Sequence, residues 1–426
     1  MKILTLTNLY PPHYVGGYEL RCAAIVEALR ARGHSVEVLT SNHGVGNSSQ
    51  PSPTEPAVER SLRVHGFFGH PWLDIMHLMD LEKHNNRVLQ AAVQRVKPDV
   101  IHVWNMGGIS KSLCHTVQTF GVPVVYDVSD HWIARSLKAD VWLDWWNRPA
   151  TSFKQKALRR AWTLTGRRAR LQDEAPTDPV QFIRFDHIYF CSAALRELTV
   201  SAGYPVCHGE VIHCPVDVER FTGNVHTNEG MNRLLYVGRL AEDKGVMTAL
   251  KAMHAVKGKF AGELHVYGRG DEPYTRTLHS YVAEHRLPVH FHEATAEQMP
   301  DVYRRHDALL FTSEWEEPFA LTPLEAMACG LPVIGTTTGG SKELFRCGSN
   351  ALTYTAGNHH ELAARIVQLD NSRALRNCLA VTGQREVRTR LHQDLIVSQI
   401  EDYLRRCLRE KQARLPNPLL YLKQAA

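Results

Sequence analysis

The chain has 426 residues, 44% of them hydrophobic and 22% charged, which excludes a disordered tail, a collagen-like fibre and a small disulfide scaffold. Lys and Arg number 49 against 44 Asp and Glu, and the mild net charge of +5 calls for no nucleic acid. The nine cysteines stand without CxxC or finger spacing, the start Met1 to Thr7 has no small-residue cleavage site, and no run of 18 apolar residues occurs, so a reduced, cytoplasmic chain without a membrane span is expected.

Short β-rich runs alternate with helical patterns, which predicts parallel sheets built from βαβ units. Ile3 to Thr7 reads as a strand, followed by the loop Asn8 to Gly17 and a helix whose Cys22, Ile25, Val26 and Leu29 recur at i, i+3, i+4 and i+7. Gly33 closes that helix, Val36 to Leu39 is the next strand, and Ser41 to Pro56, rich in Gly, Ser, Pro and Asn, predicts a mobile loop. Strands at Asp99 to Trp104, Val122 to Val128, His187 to Cys191 and Val211 to Cys214 complete a first doubly wound set. Residues 131 to 175 interrupt that set. They carry Trp132, Trp142, Trp145, Trp146, Phe153 and Trp162 among Arg148, Lys154, Lys156, Arg159, Arg160, Arg167, Arg168 and Arg170. Two readings stand side by side: an interfacial segment with aromatics at headgroup depth and cations on an anionic surface, or an ordered lid whose tryptophans pack inward while the arginines are solvated. The polar stretch Gly223 to Asn232 separates a second set at Leu234 to Val237, Leu264 to Tyr267, Val289 to His292, Ala308 to Phe311 and Pro332 to Gly335, and Gln393 to Arg409 closes the chain as an amphipathic helix. The expected class is α/β, with Rossmann-like domains over 1–222 and 233–390 and a C-terminal helix and tail over 391–426.

A dinucleotide fold would place GxGxxG directly after its first strand. Here the turn Asn8 to Gly17 is longer and holds one glycine pair, Gly16-Gly17, which disfavours bound NAD; the pair offers amides to an anion or makes a plain turn. The second set opens with Tyr236-Val237-Gly238-Arg239-Leu240-Ala241-Glu242-Asp243-Lys244-Gly245. Arg239 and Lys244 then stand at a strand's carboxyl end, suited to a diphosphate, with solvated surface charge as the alternative. Gly268 repeats the strand-then-glycine arrangement within His265 to Asp271. In Ser313 to Ile334, the order Thr322, Pro323, Glu325 spells a capping box with proline at the first helical position, so Glu325 is read as a cap or as a ligand group. Glu317 lies in the loop before that helix, near the amides of Ala320 and Leu321, where two carboxylates can grip sugar and ribose hydroxyls. Thr338 to Glu343 supplies a second pair, Gly339-Gly340, ahead of a helix, again suited to phosphate or to close ligand approach.

Together, YVGRLxxxKG, the Glu317 and Glu325 pair eight residues apart within EPFALTPLEAMACGLPVI, the GGSKE that follows, Gly16-Gly17, and Val216-Asp217 with Arg220-Phe221 resemble the retaining family 4 glycosyltransferases of the GT-B fold. The resemblance implies two Rossmann-like domains facing each other across a cleft, a nucleotide-sugar substrate on the C-terminal side, an acceptor on the N-terminal side and no resident cofactor. It implies that Arg239 and Lys244 bind the donor diphosphate, Glu317 the sugar and Glu325 the ribose, with Gly16 and Gly17 at the same phosphates. Gly238, Gly268, Phe319, Ala320, Leu321 and Gly340 complete the donor side, Asp130 and His131 fall on the acceptor side, and Glu317, Arg239 and Lys244 carry the catalysis. The chain departs from the family's pattern at three points: where the family has a His followed by Asp this chain has Val128-Ser129-Asp130-His131, so that the His is Ser129 unless His131 replaces it; Ala320 stands where glycine is usual; and residues 131 to 175 are additional.

Retaining transfer of a hexosyl group would pass through an oxocarbenium-like state, and two cations with helix N-termini aimed at the leaving diphosphate would dispense with Mg²⁺. Asp127-Val128-Ser129-Asp130 lacks DxD spacing and the 24 histidines include no HExxH, so no metal site is expected. The acceptor expected is a glycan, a glycolipid or another lipid-linked sugar, reached in the cytoplasm or at the inner membrane face if residues 131 to 175 make a peripheral membrane contact. A nucleotide-sugar epimerase and a non-catalytic nucleotide-sugar-binding protein are the competing readings.

Overall fold

A computed structural model describes residues 1–45, 57–225 and 230–414. Most of the Ser41 to Pro56 stretch, residues 46–56, and residues 226–229 of the polar stretch lie outside the described residues. The chain divides into two compact units, Met1–Ile212 together with the residues from Val397, and His213–Ile396.

The first unit is a parallel sheet of seven strands, β1 (Lys2–Leu6), β2 (Ser35–Ser41), β3 (Val58–Leu62), β4 (Val100–Val103), β5 (Val124–Val128), β6 (His187–Phe190) and β7 (Glu210–Val211), in the order β3-β2-β1-β4-β5-β6-β7. The second is a parallel sheet of six, β8 (Arg233–Val237), β9 (Glu263–Tyr267), β10 (Val289–His292), β11 (Ala308–Phe311), β12 (Val333–Thr336) and β13 (Leu352–Tyr354), in the order β10-β9-β8-β11-β12-β13. In each sheet the chain runs out to one edge and then returns to build the other, so the winding reverses between β1 and β4 and between β8 and β11. The carboxyl ends at such a reversal are where open α/β sheets bind ligands.

Central strands are mainly apolar runs because helices cover both faces: Ile3, Leu4, Leu6, Val100, Ile101 and Val103 are each at most 1% exposed, and the polar Thr5 and His102 among them are buried as well. The two strands absent from the sequence reading are the ones without such a run. β3 is Val-Glu-Arg-Ser-Leu, apolar only at its ends, and lies at a sheet edge; β13 has three residues. The unit boundary falls before the Gly223 to Asn232 stretch where composition placed it, because Val216 N–H bonds Leu391 O at 2.8 Å and Phe221 packs on Tyr303 at 5.9 Å. The helix Gln393–Arg414 joins the first unit from Val397, where Tyr403 donates to Ile188 O (3.1 Å) and Arg406 pairs with Glu210 (2.7 Å).

The segment after β5 folds into helices Val141–Asn147, Phe153–Leu164 and Arg167–Glu174. Trp142, Leu143, Trp146, Trp162 and Leu171 pack with Leu78 and Met79 of the helix Ile75–Val96, and Trp132 is buried as well. Of the two readings, the one with tryptophans at headgroup depth is corrected and the one with tryptophans packed inward agrees with the structure: Trp132, Trp142, Trp146 and Trp162 are buried and Trp145 is half-buried against them. Arg159, Arg167 and Arg168 lie over Trp145, Trp162 and Trp146 at 5.2, 4.6 and 5.2 Å, so these cations stack inward too. Among the described residues no helix is long and apolar enough to cross a membrane.

Candidate functional site

On the second sheet the reversal between β8 and β11 brings two loops together. After β8, the short turn Glu242–Lys244 ends at Gly245, whose φ of +65° and carbonyl neighbour matter: a Cβ there would lie 2.0 Å from Thr312 O at the end of β11. Glycine alone lets the two chains approach so closely. Backbone N–H groups of Glu314 and Trp315 both donate to Asp243 O (2.9 and 3.0 Å), and Thr312 Oγ1 donates to Lys244 O (2.9 Å). The clamp sets Lys244 Nζ 2.5 Å from Glu317 Oε1, which Ser313 Oγ also meets at 2.6 Å. The two charged side chains remain 18% and 13% exposed. Arg239, by contrast, is exposed and stands 3.8 Å from Asp243.

The Glu317 loop is supported from below by the second glycine pair. Gly339 has φ +54° and a Cβ there would lie 2.3 Å from Glu317 O, while the Gly340 amide donates to that same oxygen at 2.6 Å. The Gly340 N–H is therefore spent on seating Glu317 and is not the phosphate donor expected of it. The amides of Gly238 and Gly268 are likewise spent, on Tyr267 O and His292 O at 3.1 Å each.

The following helix is Leu321–Ala328 and its N-cap is Ala320, with no side-chain cap bond. The capping box read from Thr322, Pro323 and Glu325 does not form. Phe319, buried and stacked on His213 (4.8 Å, 13° between planes), fixes the chain's entry so that the helix starts ahead of Thr322, with Pro323 in the first turn where no N–H is required. Glu325 sits a turn deeper and accepts instead from Tyr303 OH at 2.7 Å. Burial pushes its carboxyl up to about 7, against the pull of the Tyr303 hydroxyl and the Arg220 cation.

In the first unit, Gly16 is the N-cap of the helix Gly17–Ala31 and donates its N–H to Glu19 at 2.9 Å. Behind it Arg21 Nη1 bonds both oxygens of the fully buried Asp127 (2.8 and 2.9 Å) and Ser129 Oγ (2.8 Å), and Tyr18 OH donates to Asp127 O at 2.6 Å. Asp130, two residues past the end of β5, accepts from Trp132 N–H (2.8 Å); burial raises its carboxyl to about 7, with Glu19 adding to the rise and the Trp132 amide and Lys111 opposing. His131 precedes the turn Trp132–Ser136, and its carbonyl accepts from Arg135 N–H. Ser129 is thus tied into the Arg21–Asp127 pair.

Two family models divide the chain at much the same place as its sheets. The one described as glycosyl transferase 4-like domain matches residues 16–172, and the one described as glycosyl transferases group 1 matches residues 217–385, well over half the chain between them. The chain belongs to the family 4 glycosyltransferases. An uncharacterised glycosyltransferase of Methanocaldococcus jannaschii is 23% identical over 85% of this chain and 87% of its own, and glycogen synthase of Mycobacterium tuberculosis is 26% identical over 98% of each. Among solved structures, Anabaena HepE in complex with UDP and glucose superposes with a TM-score of 0.66 at 22% identity, covering 95% of this chain and 99% of that one. Sucrose-phosphate synthase of Thermosynechococcus elongatus does so with 0.70 at 18%, covering 96% and 99%. These likenesses give the transferase the GT-B fold.

Of the residues singled out in sequence, the fold brings Lys244, Glu317 and the glycine pair at Gly340 into one cluster, with Phe319, Ala320 and Leu321 forming the entry to the next helix and Glu325 one turn on. Around these stand residues that the sequence reading passed over. Ser313 and Thr312 hold the Lys244–Glu317 pair, Gly245 and Gly339 permit its closeness, and Tyr303 holds Glu325. In the first unit Arg21 and Asp127 form a buried ion pair whose signal was present: Arg21 sits four residues before Ile25, inside the helix's apolar stripe, and Asp127 interrupts an otherwise apolar strand. Among the described residues, no group of three or more His, Cys, Asp or Glu is placed to hold a metal ion.

Proposed function

We propose that this glycosyltransferase moves a hexosyl group from a nucleoside-diphosphate sugar to a hydroxyl of a glycan or lipid-linked acceptor, with retention at the anomeric carbon and without a metal ion. The observation that carries the reading is the Lys244–Glu317 pair held at 2.5 Å at the carboxyl ends of the reversal strands. A lysine there offers its remaining N–H donors to a diphosphate, and Arg239, exposed and only loosely paired with Asp243, adds a second cation as the leaving group gains charge. Glu317 Oε1 is engaged by Lys244 and Ser313, which suits a carboxylate that grips sugar hydroxyls and suits poorly a general base taking the acceptor's proton. In the retaining step the sugar–phosphate C–O bond breaks, the C–O bond to the acceptor forms on the same face, and the acceptor proton passes to the departing phosphate oxygen. Glu325, with one oxygen on Tyr303, has the other for a ribose hydroxyl. Anabaena HepE, whose structure contains UDP and glucose, supports a nucleotide-sugar as the donor class.

Incubating the purified chain with UDP-, GDP- and ADP-sugars in the presence of EDTA tests this. Turnover of one of them, with a product whose anomeric proton has the donor's configuration by NMR, is the expected result. An inverted product, or turnover only with added divalent metal, overturns retention or metal independence respectively.

A further inference from the structure

We propose that the helix Phe153–Leu164 is an interfacial docking element that holds the enzyme on an anionic membrane leaflet. The two most exposed large hydrophobic side chains among the described residues are Phe153, at 85%, and Leu164, at 77%, and both belong to this helix. At ~100° per residue Phe153, Ala157 and Leu164 fall within about 40° of one another, with Ala161 beside them, and at 1.5 Å per residue the two large side chains stand about 16 Å apart. The result is a flat apolar ridge running the length of the helix. Lys154 borders it on one side and Lys156 and Arg160 on the other, all three exposed, and among the described residues none has an ion-pair partner. Residues 148 to 170 contain eight cations and no carboxylate.

The opposite face fixes the helix to the protein. Trp162 is core, Leu158 packs against the same cluster, Arg159 donates to Arg148 O at 2.6 Å while lying over Trp145, and Ser152 caps the first turn through Gln155 N–H at 3.2 Å. The outward ridge is therefore an ordered surface, and folding has left it unburied. An apolar ridge flanked on both sides by unneutralised cations complements a leaflet, where the side chains enter the acyl boundary and the cations meet anionic headgroups. A protein partner would need an acidic groove matching the whole ridge. The tryptophans of this segment take no part, and neither do Arg159, Arg167 and Arg168. The consequence for the reaction rests on the transferase reading above: an enzyme held on a leaflet meets acceptor hydroxyls tethered to lipid.

The test is co-flotation of the full chain with vesicles of pure phosphatidylcholine and with vesicles containing roughly one third phosphatidylglycerol, at low and at high salt. We expect binding to the anionic vesicles at low salt and not to the neutral ones. Phe153→Ser with Leu164→Ser should weaken it at least about tenfold by removing buried apolar area. Lys154→Gln, Lys156→Gln and Arg160→Gln together should weaken it about a hundredfold, at roughly fivefold per cation near an anionic surface. Neither set should change the thermal midpoint or donor hydrolysis in solution, so a failure of docking is told apart from a failure of the transferase reading. Absence of wild-type binding to anionic vesicles, equal binding by the Phe153→Ser/Leu164→Ser variant, or a dimer in solution that this variant dissociates in place of any vesicle binding would each overturn the proposal.

Discussion

Replacing Lys244 by methionine removes the charge and keeps most of the stem. Two separate costs follow from the geometry. The first falls on the resting protein: Glu317 loses its partner at 2.5 Å and keeps Ser313. A fully buried carboxylate left unpaired costs ~3–5 kcal/mol and an exposed pair is worth ~0–1 kcal/mol. With the side chains 18% and 13% exposed, the loss lies between, at about 1–3 kcal/mol. The second falls on the transition state, where one preorganised charge contact to a developing anion is commonly worth ~3–4 kcal/mol, or roughly 10²–10³ in kcat. The two are separated by a second substitution. Glu317→Gln in the Lys244→Met background removes the unpaired charge, so the thermal midpoint should recover most of its loss while turnover does not. The assay is kcat for donor hydrolysis at saturating nucleotide-sugar, read beside a thermal melt. A Lys244→Met enzyme within threefold of wild-type kcat would refute the leaving-group role, and a double variant that regains activity along with stability would show that Lys244 acts only through the fold.

Nucleotide affinity should rise with pH through about 7, because ribose hydroxyls donate to the ionised Glu325 and burial holds its carboxyl protonated below that point. Calorimetric titration of the nucleoside diphosphate across that range checks the sign, and Glu325→Gln should flatten the profile; an affinity independent of pH in the wild type contradicts the assignment. Arg21→Met should destabilise the first unit by about 3–5 kcal/mol in urea unfolding, since it strands the fully buried Asp127, and adding Asp127→Asn should return most of that. Gly339→Ala should cut kcat at least about a hundredfold while the chain still folds, because a Cβ 2.3 Å from Glu317 O shifts the loop that carries the carboxylate. Unchanged turnover in that variant would mean the loop tolerates the shift and Glu317 needs no such seating.

Most of the architecture was open to reading in one dimension. A parallel strand covered by helices on both faces has to be mainly apolar along its length, and β1, β4, β5, β8 and β11 announce themselves in that way despite single polar residues such as His102 and Asp127. The loops at their carboxyl ends announced chemistry through glycines next to cations and carboxylates, because backbone approach and charge are properties of residue type. The family resemblance placed Lys244 and Glu317 at one site on those grounds. What the sequence alone left open was decided by partners far away along the chain. Glu325 read as a helix cap because Thr322 precedes it at the right spacing, but where a helix begins depends on how the chain enters it, and Phe319 stacking on His213 moved the start. Edge strand β3 was invisible, since an edge needs only one covered face and two apolar ends met it. The aromatic segment after β5 shows the same division most plainly. Its composition established a dense set of rings and cations, while the burial of each was settled by a core supplied from Leu78 and Met79, some sixty residues earlier in the chain. That core drew the tryptophans inward and took three arginines onto their faces, leaving Phe153 and Leu164 outside with Lys154, Lys156 and Arg160. Residue type determines what a side chain can do, and only the packing of distant segments determines which face it does it on.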